Sequence, residues 1–164
     1  MKDTKVLLVG YGRIGRRVCE LLRAFDAKIL VVDPVLSADA LIEGEQLVTL
    51  TEGLRQAQVI TLHASGTTQI IGEDQFAQMQ DGVILLNSAR GELVDEDALV
   101  QALESGKVGG AWFDVFWIEP YQGRLCQYDQ VLLTPHISTY TKQCRLDMEV
   151  TAVKNLLRDL GVEE

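Results

Sequence analysis

Positive charge is what this sequence most plainly lacks. Fifteen Lys and Arg face 24 Asp and Glu, a formal net charge of −9 at pH 7. Binding to a nucleic-acid backbone needs clustered cations that displace counterions, so a nucleic acid is excluded as the main partner. The one local excess, Arg13, Arg16 and Arg17, falls where a helix begins and is too small for a duplex groove. Long apolar runs are missing too. Nothing approaches the ~20 residues that a membrane span needs, and the start, MKDTKVLLVG, lacks the apolar segment and cleavage site of a signal peptide. A soluble, cytoplasmic protein is the expectation.

Histidine and cysteine are scarce. His63 and His136 are the two histidines, and Cys19, Cys126 and Cys144 form neither a CxxC nor a Cys/His cluster. That spacing gives no metal site and leaves reduced thiols as the expected state. Cys19, on the apolar side of a helix, reads as packing. No Pro/Gly/Ser-rich linker or low-complexity tract interrupts residues 1–164, so one domain is expected, and 47% hydrophobic residues are enough to give it a full core.

What is present is a regular alternation. VLLVG (6–10) reads as a buried strand and RIGRRVCELLRAF (13–25) as a helix, with Ile14, Val18, Leu21, Leu22 and Phe25 at helical spacing. Strands follow at 28–33, 59–63, 83–87, 110–116 and 131–135. Short helices are expected at 51–57, 73–80 and 95–106, and one long helix over 141–161. Unbroken apolar strands alternating with helices mean a parallel sheet covered on both faces. The fold class is a doubly wound α/β domain.

Gly10, Gly12 and Gly15 form G-x-G-x-x-G between the first strand and the first helix. The first glycine permits the turn, the second lets backbone approach a pyrophosphate, and the third lets helix and strand pack closely. Free N–H groups at the helix start then face the diphosphate. Asp33 ends the second strand 18 residues after Gly15, where a carboxylate accepts from ribose hydroxyls and repels a 2′-phosphate. NAD is therefore expected in preference to NADP. The plainer role for Asp33 is a turn residue before Pro34.

Three later stretches bear on chemistry. NSARGELVDEDAL (87–99) sets Arg90 just after a buried strand, where ligands of such sheets gather. A guanidinium there can grip a carboxylate through two parallel hydrogen bonds; otherwise it pairs with Glu92 or Asp95. DVFWIEP (114–120) puts Asp114 at a strand end and Glu119 in the following loop, and TPHIS (134–138) puts His136 after the last strand. A glutamate beside a histidine stabilises the imidazolium, which can then deliver a proton near neutral pH.

In this order and spacing, GYGRIG, the strand-end Asp33-Pro34, LH, NSARGELVDEDAL, DVFWIEP and TPHIS resemble the coenzyme-binding domain of the D-isomer-specific 2-hydroxyacid dehydrogenases. The phosphoglycerate dehydrogenase-like branch is the most similar, and the match covers essentially the whole chain. The resemblance implies a Rossmann-type domain that binds NAD(H) and serves hydride transfer between nicotinamide and a 2-hydroxy or 2-keto acid. It implies that Arg90 binds the substrate carboxylate, that His136 is the acid/base, and that Glu119 orients His136. Backbone N–H groups of Arg13 and Ile14 would meet the pyrophosphate and Asp33 the ribose. Ala64, Ser88 and Ala89 would border the nicotinamide half, and Asp114 would hold its carboxamide. His63 marks a strand end and stays outside the catalytic set.

Some positions depart from the family. LHASGTTQIIG replaces a longer LH-x-P-L-T stretch, Asp26 stands where glycine is usual, and HIS stands where HIG is commoner. Met1 lies five residues before the first strand, where family members place most of a second, substrate-binding domain. The expectation is a coenzyme domain without its substrate domain, which binds NAD(H) but turns over 2-keto acids very slowly or not at all, because closure of the cleft is missing. The alternative is a non-enzymatic NAD(H)-responsive module. A short-chain dehydrogenase is excluded, since Tyr140 and Lys142 lack the Tyr-x-x-x-Lys spacing. A homodimer is expected, through apolar surface left bare.

Overall fold

The computed structural model describes residues 1–162. Seven strands, β1 (Lys5–Val9), β2 (Lys28–Val32), β3 (Glu45–Leu47), β4 (Val59–Leu62), β5 (Val83–Asn87), β6 (Val108–Phe113) and β7 (Val131–Leu133), form one sheet in the order β3-β2-β1-β4-β5-β6-β7. Every pairing is parallel. The chain leaves β1 toward β2 on one side and returns to β4 on the other, so the switch in strand order lies at the β1/β4 boundary. A crevice opens there at the carboxyl ends of the strands.

Five α-helices connect or follow the strands: α1 (Arg13–Arg23), α2 (Leu50–Gln56), α3 (Glu73–Gln78), α4 (Glu96–Glu104) and α5 (Lys142–Asp159). Their ends obey local chemistry. Thr49 and Glu52 close a capping box on α2, and Asp95 caps α4 by accepting from Ala98 N–H. The main core lies where α2, α3 and α4 cover the sheet, centred on Leu7, Ile60, Leu85, Leu99 and Phe113, each fully buried. A second, smaller core holds Leu8, Cys19, Ile29 and Val31 under α1.

The doubly wound parallel sheet is as expected, with differences at its margins. Strand β3 was not anticipated. Cover of the second face is partial: α1 buries only Gly15 and Cys19, with Ile14, Leu21 and Phe25 exposed, and α5 buries no residue at all. Ile84 and Leu132 on the sheet are likewise exposed. The helical periodicity was real in both helices, but periodicity marks an apolar stripe and not the partner that covers it. Burial pushes the Cys19 thiol up to about 12, in keeping with a packing role.

Candidate active site

Thr61, Asn87 and Asp114 are the buried polar side chains among the described residues, and all three stand at or just beyond the carboxyl ends of β4, β5 and β6. A buried polar group must find partners or cost stability. Here each partner is a segment of the crevice wall. Thr61 Oγ1 lies 2.9 Å from His63 Nε2, and burial lowers the pKa of His63. Asn87 accepts from Ala89 N–H at 3.0 Å and donates to the Arg90 carbonyl at 2.8 Å. It therefore shapes the Ser88-Ala89-Arg90 turn that sequence reasoning marked.

The glycine turn has the geometry a dinucleotide requires. Gly10 has φ +97°, and a Cβ there would lie 2.5 Å from Ala64 N. Ala64 thus packs directly on the turn. A Cβ on Gly15 would lie 2.1 Å from the Gly10 carbonyl oxygen, whereas one on Gly12 would meet nothing within 4 Å. Gly12 is the N-cap of α1, and no side chain caps it. The first N–H groups of α1, at Arg13 and Ile14, have no intrahelical acceptor and open toward the crevice. An open cradle, uncapped N–H groups and a positive helix end fit a diphosphate.

Asp33 accepts from Tyr11 N–H at 2.8 Å and from Val35 N–H at 3.1 Å. Both the turn role and the sugar role are therefore open to it: a carboxylate has about four acceptor positions, and two stay free. Beside it a cavity of about 410 Å³ is lined by Val32, Asp33, Pro34, Leu47, Val48 and Glu52. Its apolar walls suit an adenine ring, and its two carboxylates oppose an extra phosphate.

Glu119 and His136 meet across the ends of β6 and β7. His136 Nδ1 lies 2.9 Å from Glu119 Oε2 and 3.1 Å from Oε1, while Phe116 N–H donates to Oε1 at 3.1 Å. A carboxylate only accepts, so Nδ1 carries the hydrogen and Nε2 faces away from the pair. The hydrogen bond from His136 holds the Glu119 carboxyl below the usual range, against the smaller pull of burial. A depressed pKa means the fold favours ionised Glu119, an advantage present above the ordinary Glu pKa and lost as pH falls through the folded one. Glu119→Gln is therefore expected to be less stable than wild type at pH 6, with a smaller gap at pH 3, read by urea unfolding at each pH. An equal gap at both pH values would contradict the ion pair. Phe116, Pro120, Leu133 and Pro135 wall a cavity of about 410 Å³ beside the pair.

Two residues differ from expectation in detail. The Arg90 guanidinium donates to the Ala89 carbonyl at 2.6 Å, and so is held by its own turn instead of pairing with Glu92 or Asp95. Asp114, implied as a carboxamide ligand, is 1% exposed and spends its carboxylate on the 134–138 loop. Asn87 and Thr134, which organise these turns, escaped sequence reasoning, and Ser138 stood out only as the departure of HIS from HIG. The one signal for Asn87 was a polar residue ending an apolar strand. Among the described residues no group of His, Cys, Asp and Glu could hold a metal ion, and no helix is long and apolar enough to cross a membrane.

Residues 1–138 match the sequence profile of the NAD-binding domain of D-isomer-specific 2-hydroxyacid dehydrogenases, and the chain belongs to that family. It is 36% identical to the hydroxypyruvate reductase of Thermotoga maritima over 163 residues, 94% of this chain and 52% of that protein. It is 35% identical to the D-3-phosphoglycerate dehydrogenase of Archaeoglobus fulgidus over 156 residues, 92% of this chain and 30% of that one. The crystal structure of a glyoxylate reductase from Paecilomyes thermophila superposes with a TM-score of 0.89 at 38% identity, covering 94% of this chain and 48% of that one. The chain thus spans about half the length of the reductases it matches. It is an NAD-binding domain of this oxidoreductase family.

Proposed function

We propose that this domain is the coenzyme half of a D-2-hydroxyacid dehydrogenase, interconverting a small 2-hydroxy acid and its 2-keto acid, and that it is slow or inactive without a substrate domain. The observation that carries the reading is the Glu119–His136 pair at the same end of the sheet as the glycine crevice. In the cradle, Gly10, Gly12 and Gly15 admit the diphosphate, N–H groups of Arg13 and Ile14 bind it, and Asp33 takes the ribose. Ala64, Ser88 and Ala89 border the reactive end. Bound there, NADH supplies the hydride.

The chain's own residues do the remainder. Arg90 leaves its carbonyl contact and grips the substrate carboxylate through two hydrogen bonds, fixing the keto carbon. His136 Nε2, protonated while Nδ1 is held by Glu119, gives its proton to the forming alkoxide oxygen; in oxidation it takes the proton from the hydroxyl. Glu119 accepts from Nδ1–H and fixes the ring plane. Closure by a second domain would exclude water and strengthen each of these contacts. Three free cysteines suit a reducing compartment, so a cytoplasmic setting belongs to this reading.

A homodimer belongs to it as well. The accessible surface is 10139 Å², against about 8,100 Å² for a compact monomer of this mass. The excess exceeds the roughly 800 Å² per partner that a standard interface buries, and exposed Leu146, Val150, Val153 and Leu157 on α5 contribute to it.

NADH fluorescence, titrated with and without oxalate, tests the function. Oxalate is expected to tighten NADH binding in wild type and to have no effect in Arg90→Ala. No oxalate effect in either protein would instead favour a non-enzymatic NAD(H)-responsive module.

A further inference from the structure

The Asp114 carboxylate is saturated. Its Oδ1 accepts from Thr134 Oγ1 at 2.6 Å and from Ile137 N–H at 2.9 Å. Its Oδ2 accepts from Ser138 N–H at 2.9 Å and from the Ser138 hydroxyl. A carboxylate has about four acceptor positions, and all four are taken. Trp112 Nε1 donates to Thr134 Oγ1 at 3.0 Å, which leaves the Thr134 hydrogen to point at Asp114. The hydrogen bonds hold the carboxylate ionised against the opposing and larger single effect of its burial.

All of these donors flank one residue. His136 has φ +53°, a left-handed conformation that is costly for a non-glycine residue. Such a conformation persists only where its surroundings fix it. Thr134 on one side and Ile137 and Ser138 on the other are bound to Asp114, and His136 N–H itself donates to the Thr134 carbonyl at 2.9 Å. Glycine at position 138 would offer Asp114 one donor. Serine offers two.

We propose that Ser138 is a positioning residue for His136: its hydroxyl fills the last acceptor position of Asp114 and locks the 134–138 turn in the form that brings Nδ1 onto Glu119. Asp114 is then the anchor of this loop. The reaction assigned to His136 rests on the proposed function, but the clamp itself does not.

The chain's two histidines make the test clean. ¹⁵N-histidine spectra of the neutral rings report which nitrogen carries hydrogen, with His63 as an internal control for folding. In wild type His136 is expected as the Nδ1–H tautomer. Ser138→Ala and Ser138→Gly are expected to shift it to a mixture with Nε2–H while His63 stays put; Ser138→Thr, which keeps the hydroxyl, restores the wild-type signal. An unshifted His136 in both Ser138→Ala and Ser138→Gly overturns the clamp, as does failure of Ser138→Thr to restore the signal. Wild type that binds no NADH sinks the functional proposal alone, because the tautomer measurement needs no ligand.

Discussion

Valine at position 15 is expected to lower the unfolding free energy by about 3 kcal/mol or more and to remove measurable NADH binding. A Cβ on Gly15 would lie 2.1 Å from the Gly10 carbonyl oxygen and 3.1 Å from Leu8 Cδ2. A side-chain terminus could swing aside; a carbonyl in a turn cannot. Gly10 is itself held at φ +97° against the Ala64 backbone, so the clash cannot be passed down the chain. Helix α1 must therefore lift from β1, which opens the small core around Cys19 and moves the first helical N–H groups away from the diphosphate position. Gly12→Ala is the control. Its φ of −74° is open to alanine, and its Cβ would meet nothing within 4 Å. Thermal unfolding should find Gly12→Ala near wild type, whereas NADH fluorescence should find it weakened by crowding of the diphosphate alone. Wild-type stability in Gly15→Val would show that helix and strand are not in contact there.

The contrast between these glycines explains why the coenzyme site was legible in the sequence. Tight turns and close approaches leave a residue type with no substitute, so they mark the chain. The central strands were readable for a similar reason: β1 and β4 follow their apolar runs because both faces are buried and a strand so placed has few polar alternatives, whereas β5 spans Val83–Asn87 with Ile84 exposed. Strand β3 was not readable. Its Glu-Gln-Leu pairs only along one edge, with β2, and nothing in three residues signals that. Partial cover of the second sheet face was hidden too, since α5 displays an apolar stripe whether or not anything lies against it.

Within the candidate site, Glu119 and His136 lie 17 residues apart and meet only because β6 and β7 are neighbours. Their residue types and strand-end positions were enough to suggest the pair. The supporting network was not open to such reasoning. Asn87, Thr134 and Ser138 are ordinary loop-type residues, and their importance comes from which buried acceptor or donor they happen to reach. Asp114 shows the limit most clearly, because a strand-end aspartate reads the same whether it waits for a ligand or is already saturated.

Asp33→Ala carries the other large expected effect, a loss of NADH affinity of about 10–100-fold, since hydrogen bonds to a charged group contribute roughly 1.5–3 kcal/mol and each 1.4 kcal/mol is tenfold. Affinity alone is an ambiguous reading, because Asp33 also fixes Tyr11 and Val35 through their N–H groups. Alanine removes those bonds together with any to the ribose. NADPH separates the two roles. Its additional phosphate would sit against Asp33 and Glu52 in the adenosine cavity, so wild type is expected to bind it far more weakly than NADH. Alanine removes one of these two charges. If Asp33 is the sugar ligand, the substitution weakens NADH while leaving NADPH unchanged or tighter, and the preference between them shrinks by at least tenfold. If it only ties the turn, both coenzymes lose affinity by the same factor and the preference survives. Isothermal titration of both coenzymes against both proteins reads the difference directly.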